Sequence, residues 1–444
     1  AMIDHPAATD ILKAGSALGV LDEDLGKDET LFIHQLLQEY FAARQLAREP
    51  NPELVAQVTP NLEETVAGLA SSDKLPLLPT TGWEETTVLA SVMAKKPDQF
   101  VIDLMAAHLP LAGRCAAQVE GAVSEAVRKQ IAWALVERTQ DPKADLRARI
   151  EAGLALGALG DPRFQQGDGP EGAYLLPPFI QIDGGSYTIG SNDGQEEDER
   201  PVHQVTIQPF EIGQWPVTNA EWALFMKTGG YEDERWWETE EAKAWQQGEG
   251  TAQGPKEEWR YVRDQAIKNS EWLKDLEAQG QITSEAAKIW QDYIAMSDSA
   301  FDEMLHERWP GGRQTRPVFW TDEAFNNPQQ PVVGICWHEA RAYCAWLSAQ
   351  AGQDRYRLPS EAEWEAATRG QEGRRFAYGN EFDPACANTF ETHVRRTTPI
   401  GVFPQGHTPD KGIMDLTGNV WEWTSSRYQP YPYKEDEREE AICG

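Results

Sequence analysis

Cysteine is scarce in this chain. Its 444 residues hold five (Cys115, Cys336, Cys344, Cys386 and Cys443), an odd number with no CxxC pair. That excludes a disulfide framework as the source of stability and leads to the expectation of reduced thiols in a cytoplasmic protein. Positive charge is also short: 40 Lys and Arg against 72 Asp and Glu give a formal charge of -32. Such a balance argues against nucleic acid or an anionic membrane surface as the main partner. No run approaches the roughly 18 apolar residues of a membrane-crossing helix. The start, Ala1-Met-Ile-Asp-His-Pro6, has neither the basic nor the apolar region of a secretory leader. No GxxxxGK(S/T) loop occurs, so this chain alone is not expected to bind nucleotide. The eight histidines form no HExxH or HxxxH pair, which removes the helical metal motifs. Tryptophan is nearly absent from the first 176 residues, with Trp83 and Trp133 only; the other fifteen follow.

That last shift marks two architectures. Before it, Ala, Leu, Glu and Arg predominate. Leu36, Leu37, Tyr40, Phe41 and Leu46 recur at helical spacing and predict an amphipathic helix. Helices are also predicted over 83–93, 100–108, 124–137 and 146–159, the last stopped by Gly160-Asp161-Pro162. Gln165 to Gly172 is Gly-rich and polar, the best linker in the chain. After it the period becomes two: 179–190 predicts a hairpin about Gly184-Gly185, and 202–212 a further strand. Thr218 with Glu221, and Ser360 with Glu363, are spaced as capping boxes. Residues 227–328 are polar, with helical stretches near 240, 260–275 and 285–305, and read as an insertion over the core.

The stretch Gly412-Ile-Met-Asp-Leu-Thr-Gly-Asn-Val-Trp-Glu-Trp-Thr424 fits neither helix nor alternating strand. Gly418-Asn419 is turn chemistry, and Asp415 and Glu422 on either side can converge with carbonyls between them. An oxygen-only set of that kind suits calcium. A Trp-rich structural turn with solvated acids fits the spacing equally well.

Two family resemblances follow from motifs. Phe32-x-His34-x-x-x-Gln38-Glu39-Tyr40-x-Ala42-Ala43 resembles the end of the winged-helix region of NACHT-type signalling ATPases. There the matching histidine, here His34, senses bound nucleotide in the intact protein; in this chain a partly buried surface histidine is the plainer reading. Ile182-Asp-Gly-Gly-Ser-Tyr-Thr-Ile-Gly190, Trp215-Pro-Val-Thr-Asn219, Arg357-Leu-Pro-Ser-Glu-Ala-Glu-Trp364 and Gly418-Asn-Val-Trp-Glu-Trp423 resemble the formylglycine-generating-enzyme-like (sulfatase-modifying factor) family. Its fold is irregular α+β, related to C-type lectins, and its members include oxidases and variable proteins of diversity-generating retroelements. The resemblance implies a multidomain chain: 1–48 the tail of a NACHT-type winged-helix region, 49–164 a HEAT-like α-helical domain, 165–176 a linker, and 177–444 the C-type-lectin-like domain with insertion 227–328.

The oxidases of that family use a cysteine pair after a Gly-Gly-Ser motif, which this chain does not contain; Cys443 is not in such a motif. The expectation is therefore a non-catalytic ligand-binding module of a NACHT-type receptor. The rival is a formylglycine-generating oxidase whose catalytic segment is missing from this chain; a structural arm reporting nucleotide state is a third reading. The resemblance implies a structural calcium held by Asp415 and Glu422 side chains and by Gly418 and Val420 carbonyls. A second family calcium site begins at Asn388 and Thr389, but its downstream acid has no counterpart in 390–404. Tyr428, Tyr431 and Tyr433 form either a surface for a protein or other macromolecular ligand or family turn packing. The implied partners also include the ATPase region and a C-terminal segment of the same protein.

Overall fold

The change of period near residue 165 is a change of architecture. The computed structural model describes residues 21–24, 29–32, 35–192, 199–269, 271–279, 281–352 and 356–434. His34 and Cys443 lie outside them. Among the described residues no helix is long and apolar enough to cross a membrane. Contacts divide the chain into two units. One comprises Ala1–Pro60, Leu78–Glu137 and Ala158–Gly160; the other comprises Asn61–Leu77, Arg138–Gly157 and Asp161–Gly444.

In the first unit β1 (Leu21–Asp24) pairs antiparallel with β2 (Glu29–Phe32). Helices follow at Gln35–Leu46, Glu84–Met93, Pro97–Ala107, Leu109–Ala116 and Glu125–Thr139. Pro97 opens its helix where no N–H is needed. The core is Phe100, Val101, Leu104, Leu111, Cys115, Ile131 and Leu135. The helix at 35–46 is turned opposite to expectation. Leu36, Leu37, Tyr40 and Phe41 are exposed, while Ala43 and Leu46 are buried. This helix packs against the 84–93 helix, and it buries small Ala43 in place of the larger residues of the expected face.

In the second unit a hairpin stands where the linker was expected. β3 (Gln165–Gly169) pairs with β4 (Gly172–Leu176), Gln165 opposite Leu176. Gly169 lies so close to the Gln350 backbone that a Cβ would stand 2.6 Å from its carbonyl oxygen. The predicted hairpin at 179–190 does not form either. Its first half, β5 (Phe179–Ile182), pairs with β8 (Phe210–Gly213); its second, β6 (Gly185–Ile189), pairs with β7 (His203–Ile207). Both ladders keep one register, so 179–189 and 203–213 form a single ribbon broken at Pro209. Proline has no N–H for the ladder and packs against Gly184 instead.

One core joins Ile182, Tyr187, Ile189 and Ile207 of the ribbon to Ala362, Ala366 and Leu416. A second is aromatic: Trp222, Phe225, Tyr231, Trp236, Trp237, Tyr343 and Trp346. Leu146 and Ile150, on the helix Leu146–Leu159, are buried with Val394, Val402 and Phe403. Within 227–328 the helices Gln253–Lys268, Trp272–Ala278, Ser284–Ala295 and Asp298–Arg308 build a centre of their own. Trp259 meets Trp290 at 5.0 Å and Trp309 at 4.9 Å, and Arg308 stacks on Trp259 at 4.6 Å. Aromatic and cation–π contacts replace the missing aliphatic residues. At the neck of this appendage Thr251 Oγ1 donates to the Gly312 carbonyl and accepts its N–H, both at 3.0 Å.

Candidate functional site

Two capped helices frame an apolar cavity. The helix Asn219–Lys227 begins at Thr218, whose side chain accepts the Glu221 N–H, while Glu221 reaches back to the Thr218 N–H and hydroxyl at 2.7 Å each. The helix Trp337–Ala351 begins at Cys336, and Glu339 accepts the Cys336 N–H at 2.6 Å. They meet through Trp222 stacked on Tyr343, ring centres 5.2 Å apart and 19° from parallel. Such pairs add about 1 kcal/mol beyond the area they bury. Beside them lies a cavity of about 750 Å³, mostly apolar, walled by Trp215, Trp222, Tyr343, Cys344 and β8 and bordered by 419–423.

Polar groups in and behind that wall are unusual for so apolar a place. Burial pushes the Glu221 carboxyl up to about 7 against the opposing pull of its Thr218 bonds. The Tyr343 hydroxyl and the Trp215 indole N–H are buried without a hydrogen-bond partner; burial also raises the Tyr343 pKa. Cys344 is pushed up to about 12 by burial, so it is a neutral thiol. Behind the wall, Glu339 accepts the Tyr231 hydroxyl at 2.6 Å, and burial raises Glu339 to about 7. A cavity with few polar groups and shifted carboxyls is what a small binding site requires.

The 412–424 loop forms one edge of this cavity. Four of its residues have left-handed backbone: Gly412 (φ 75°), Asp415 (60°), Gly418 (77°) and Asn419 (67°). Positive φ at 418–419 was expected, but Asp415 adds strain that its surroundings must hold. Gly418 is required, because a Cβ there would stand 2.5 Å from the Asn388 carbonyl oxygen. Asp415 is buried and accepts the Gly401 N–H at 3.0 Å. Burial raises its carboxyl to about 6, opposed by the Gly401 bond and by Arg163. Glu422 is raised to about 7 by desolvation of its carboxyl and by the Asp415 charge, against the pull of the Trp364 indole. As a residue Glu422 is exposed, beside fully exposed Trp421, and it lines the cavity; Asp415 is the buried acid of the two. The acids thus feel each other, as a shared cation requires. The Gly418 carbonyl accepts the Val420 N–H at 2.9 Å and keeps a second lone pair. Among the described residues no group of three or more His, Cys, Asp or Glu is gathered for a metal, so carbonyls must complete any coordination here.

The other expected residues scatter. Asn388 is engaged by the protein: its side chain donates to the Arg396 carbonyl at 2.9 Å and to Asn419 Oδ1 at 3.1 Å. Thr389 donates to Glu391 at 2.7 Å. Tyr431 points inward, its hydroxyl 3.0 Å from Glu361 and 2.9 Å from Glu365, and the Tyr433 N–H meets His203 Nε2 at 2.7 Å. Both rings pack on the ribbon core, whereas Tyr428 is 80 % exposed. The three tyrosines do not share one face. Sequence reasoning takes Glu221 only as a cap and Tyr343 only as a helix-packing residue, and passes over Arg163. The one available signal was Asp161-x-Arg163 directly after a helix stop.

The sulfatase-modifying factor enzyme 1-like domain matches residues 168–444. An inactive C-alpha-formylglycine-generating enzyme 2 from Mus musculus is 30% identical over 62% of this chain and 76% of its own length. A hercynine oxygenase from Mycolicibacterium smegmatis is 27% identical over 87% of this chain and 73% of its own. A formylglycine-generating enzyme from Streptomyces coelicolor is 30% identical over 58% of this chain and 71% of its own. These relatives overturn the expectation of a non-catalytic module: apart from the one named inactive, they are enzymes. Neither the absent cysteine pair nor the lack of paired histidines excludes a catalytic member of such a family.

Proposed function

The chain belongs, through residues 168–444, to the sulfatase-modifying factor enzyme 1-like domain family, and from that premise we propose that it is an oxidative enzyme whose substrate lies in the 750 Å³ cavity. The observation that carries this reading is the wall itself. It presents a carboxyl near pKa 7, Glu221, and a buried hydroxyl without a partner, Tyr343, within an aromatic enclosure. A carboxyl at that pKa can hold or release a proton at neutral pH. The Tyr343 hydroxyl and Trp215 N–H are donors for an acceptor on the substrate, and the tryptophans exclude water. The relatives' names supply the trial reactions: formylglycine formation in added peptides, and oxygenation of hercynine. Glu221→Gln should lower turnover while binding persists, and Tyr343→Phe should weaken binding. Product formation unchanged by a cavity-filling Cys344→Trp would place the reaction elsewhere.

The 412–424 loop has a separate role in this reading, as a structural calcium clamp. Asp415 and Glu422 would supply side-chain oxygens, and Gly418 and Val420 carbonyls. The donor set fits: it is all oxygen, and two carboxylates of raised pKa balance a divalent charge. Calcium there would supply no redox chemistry; it would fix the loop that borders the cavity. A chelator-dependent fall in Tm, abolished in Asp415→Ala, is the expected signature.

A further inference from the structure

Behind the carboxylate loop sits a cation that belongs to the chain itself. Arg163 follows the stop of the 146–159 helix, and its side chain runs into the interior, 8% exposed. Its Nε and Nη2 hold Asp161, at 3.0 Å and 2.5 Å, and the Asp161 side chain is wholly buried. The guanidinium stacks on Trp215 with its central carbon 4.5 Å from the ring centre. That leaves Nη1, which is buried and has no hydrogen-bond partner. It lies beside Gly401, where a Cβ would stand 3.2 Å from it. Gly401 in turn donates its N–H to Asp415 Oδ2 at 3.0 Å. The orphaned end of Arg163 therefore lies across Gly401 from the Asp415 carboxylate, and its charge acts on that carboxyl.

We infer that Arg163 is a resident counter-ion of Asp415, holding that carboxylate when the loop carries no divalent cation and limiting cation affinity when it does. This rests on the calcium reading of the loop and deepens it. The charges decide the direction. Asp161 takes the Nε and Nη2 edge of Arg163, and the Nη1 edge is the one left for Asp415. A buried guanidinium this near is repelled by any cation added in front, and low dielectric strengthens that repulsion. Arg163 also gives Asp415 a favourable partner in the empty loop, so the loop keeps its shape without metal. Its position after a helix stop makes it a positioning residue for the loop, not a ligand.

The test is calorimetric titration of the full chain with calcium alone, with Tm measured in calcium and in chelator. Arg163→Met keeps the stem over Trp215 and removes the charge; calcium affinity should rise roughly tenfold, and Tm in chelator should fall more than Tm in calcium. Arg163→Lys should return affinity close to the unaltered value. Asp161→Asn releases the guanidinium from its anchor toward Asp415, so affinity should fall, opposite in sign to Arg163→Met. If the unaltered chain binds calcium but neither variant changes affinity, Arg163 serves Asp161 alone and the inference is overturned. If the unaltered chain takes up no calcium, the clamp reading fails, and this one fails with it.

Discussion

Asn388 and Asn419 hold each other across the base of the candidate site. The Asn388 carbonyl accepts the Asn419 N–H at 2.9 Å, and the Asn388 side chain donates to Asn419 Oδ1 at 3.1 Å. The same Oδ1 accepts the Thr398 N–H at 2.8 Å. One side chain at φ 67° thus ties together 388, 398 and the carboxylate loop. Asn tolerates that backbone better than other residues with a Cβ.

Asn419→Ala should therefore cost about 3 kcal/mol, from buried groups left unpaired plus left-handed strain, read by urea unfolding. Asn419→Gly relieves the strain but not the lost bonds, and should cost less than Asn419→Ala. Equal losses in the two variants would mean that the backbone angle contributes nothing.

Stability should depend on pH with a sign that calcium reverses. Burial holds Asp415 at about 6 and Glu422 at about 7 in the folded chain, above the ~3.9 and ~4.3 of unfolded carboxylates. The folded state then binds more protons between about pH 4 and 7, so their contribution is lost as pH rises through that window. Calcium must displace those protons, so the Tm gained from calcium should grow from pH 5 to 7.5. A calcium-induced shift of the same size at both pH values would contradict the assignment of these two ligands.

Tyr431→Phe should cost roughly 1–2 kcal/mol, because Glu361 and Glu365 lose a buried donor. Tyr428→Ala, at an exposed position, should change stability by no more than about 0.5 kcal/mol. Thermal denaturation of the two variants side by side tests whether the aromatic segment is anchored where the geometry places it.

The appendage should be removable. Thr251 and Gly312 close its neck, and the cluster about Trp259 is its own. Replacing 252–311 by a short Gly-Ser link should leave Tm of the remainder within a few degrees. A chain that no longer folds would show that the appendage supports the core.

Much of this was legible where one local rule decides. The Thr218 and Ser360 caps, the 146–159 helix and the left-handed Gly418-Asn419 pair each follow from a few neighbouring residues. What failed depended on distant partners. Nothing near Leu36 says that the helix will bury Ala43 and leave Leu36 exposed. The interruption at Pro209 splits a ribbon that looks locally like a hairpin at Gly184-Gly185. Arg163 lies more than two hundred residues from the loop it serves, and no periodicity spans that gap. Function was misjudged for a different reason: absent cysteine and histidine motifs speak to the chemistries that use them, not to every chemistry the domain supports.

The central claim is that the cavity beside Glu221 and Tyr343 serves an oxidative reaction. Oxygen consumption by the chain, with added peptide or hercynine and the product read by mass, tests it most directly. The account predicts oxygen uptake coupled to formylglycine or oxygenated hercynine, reduced at least tenfold by Cys344→Trp. Uptake with neither compound, or product formed equally well with the cavity filled, would contradict it.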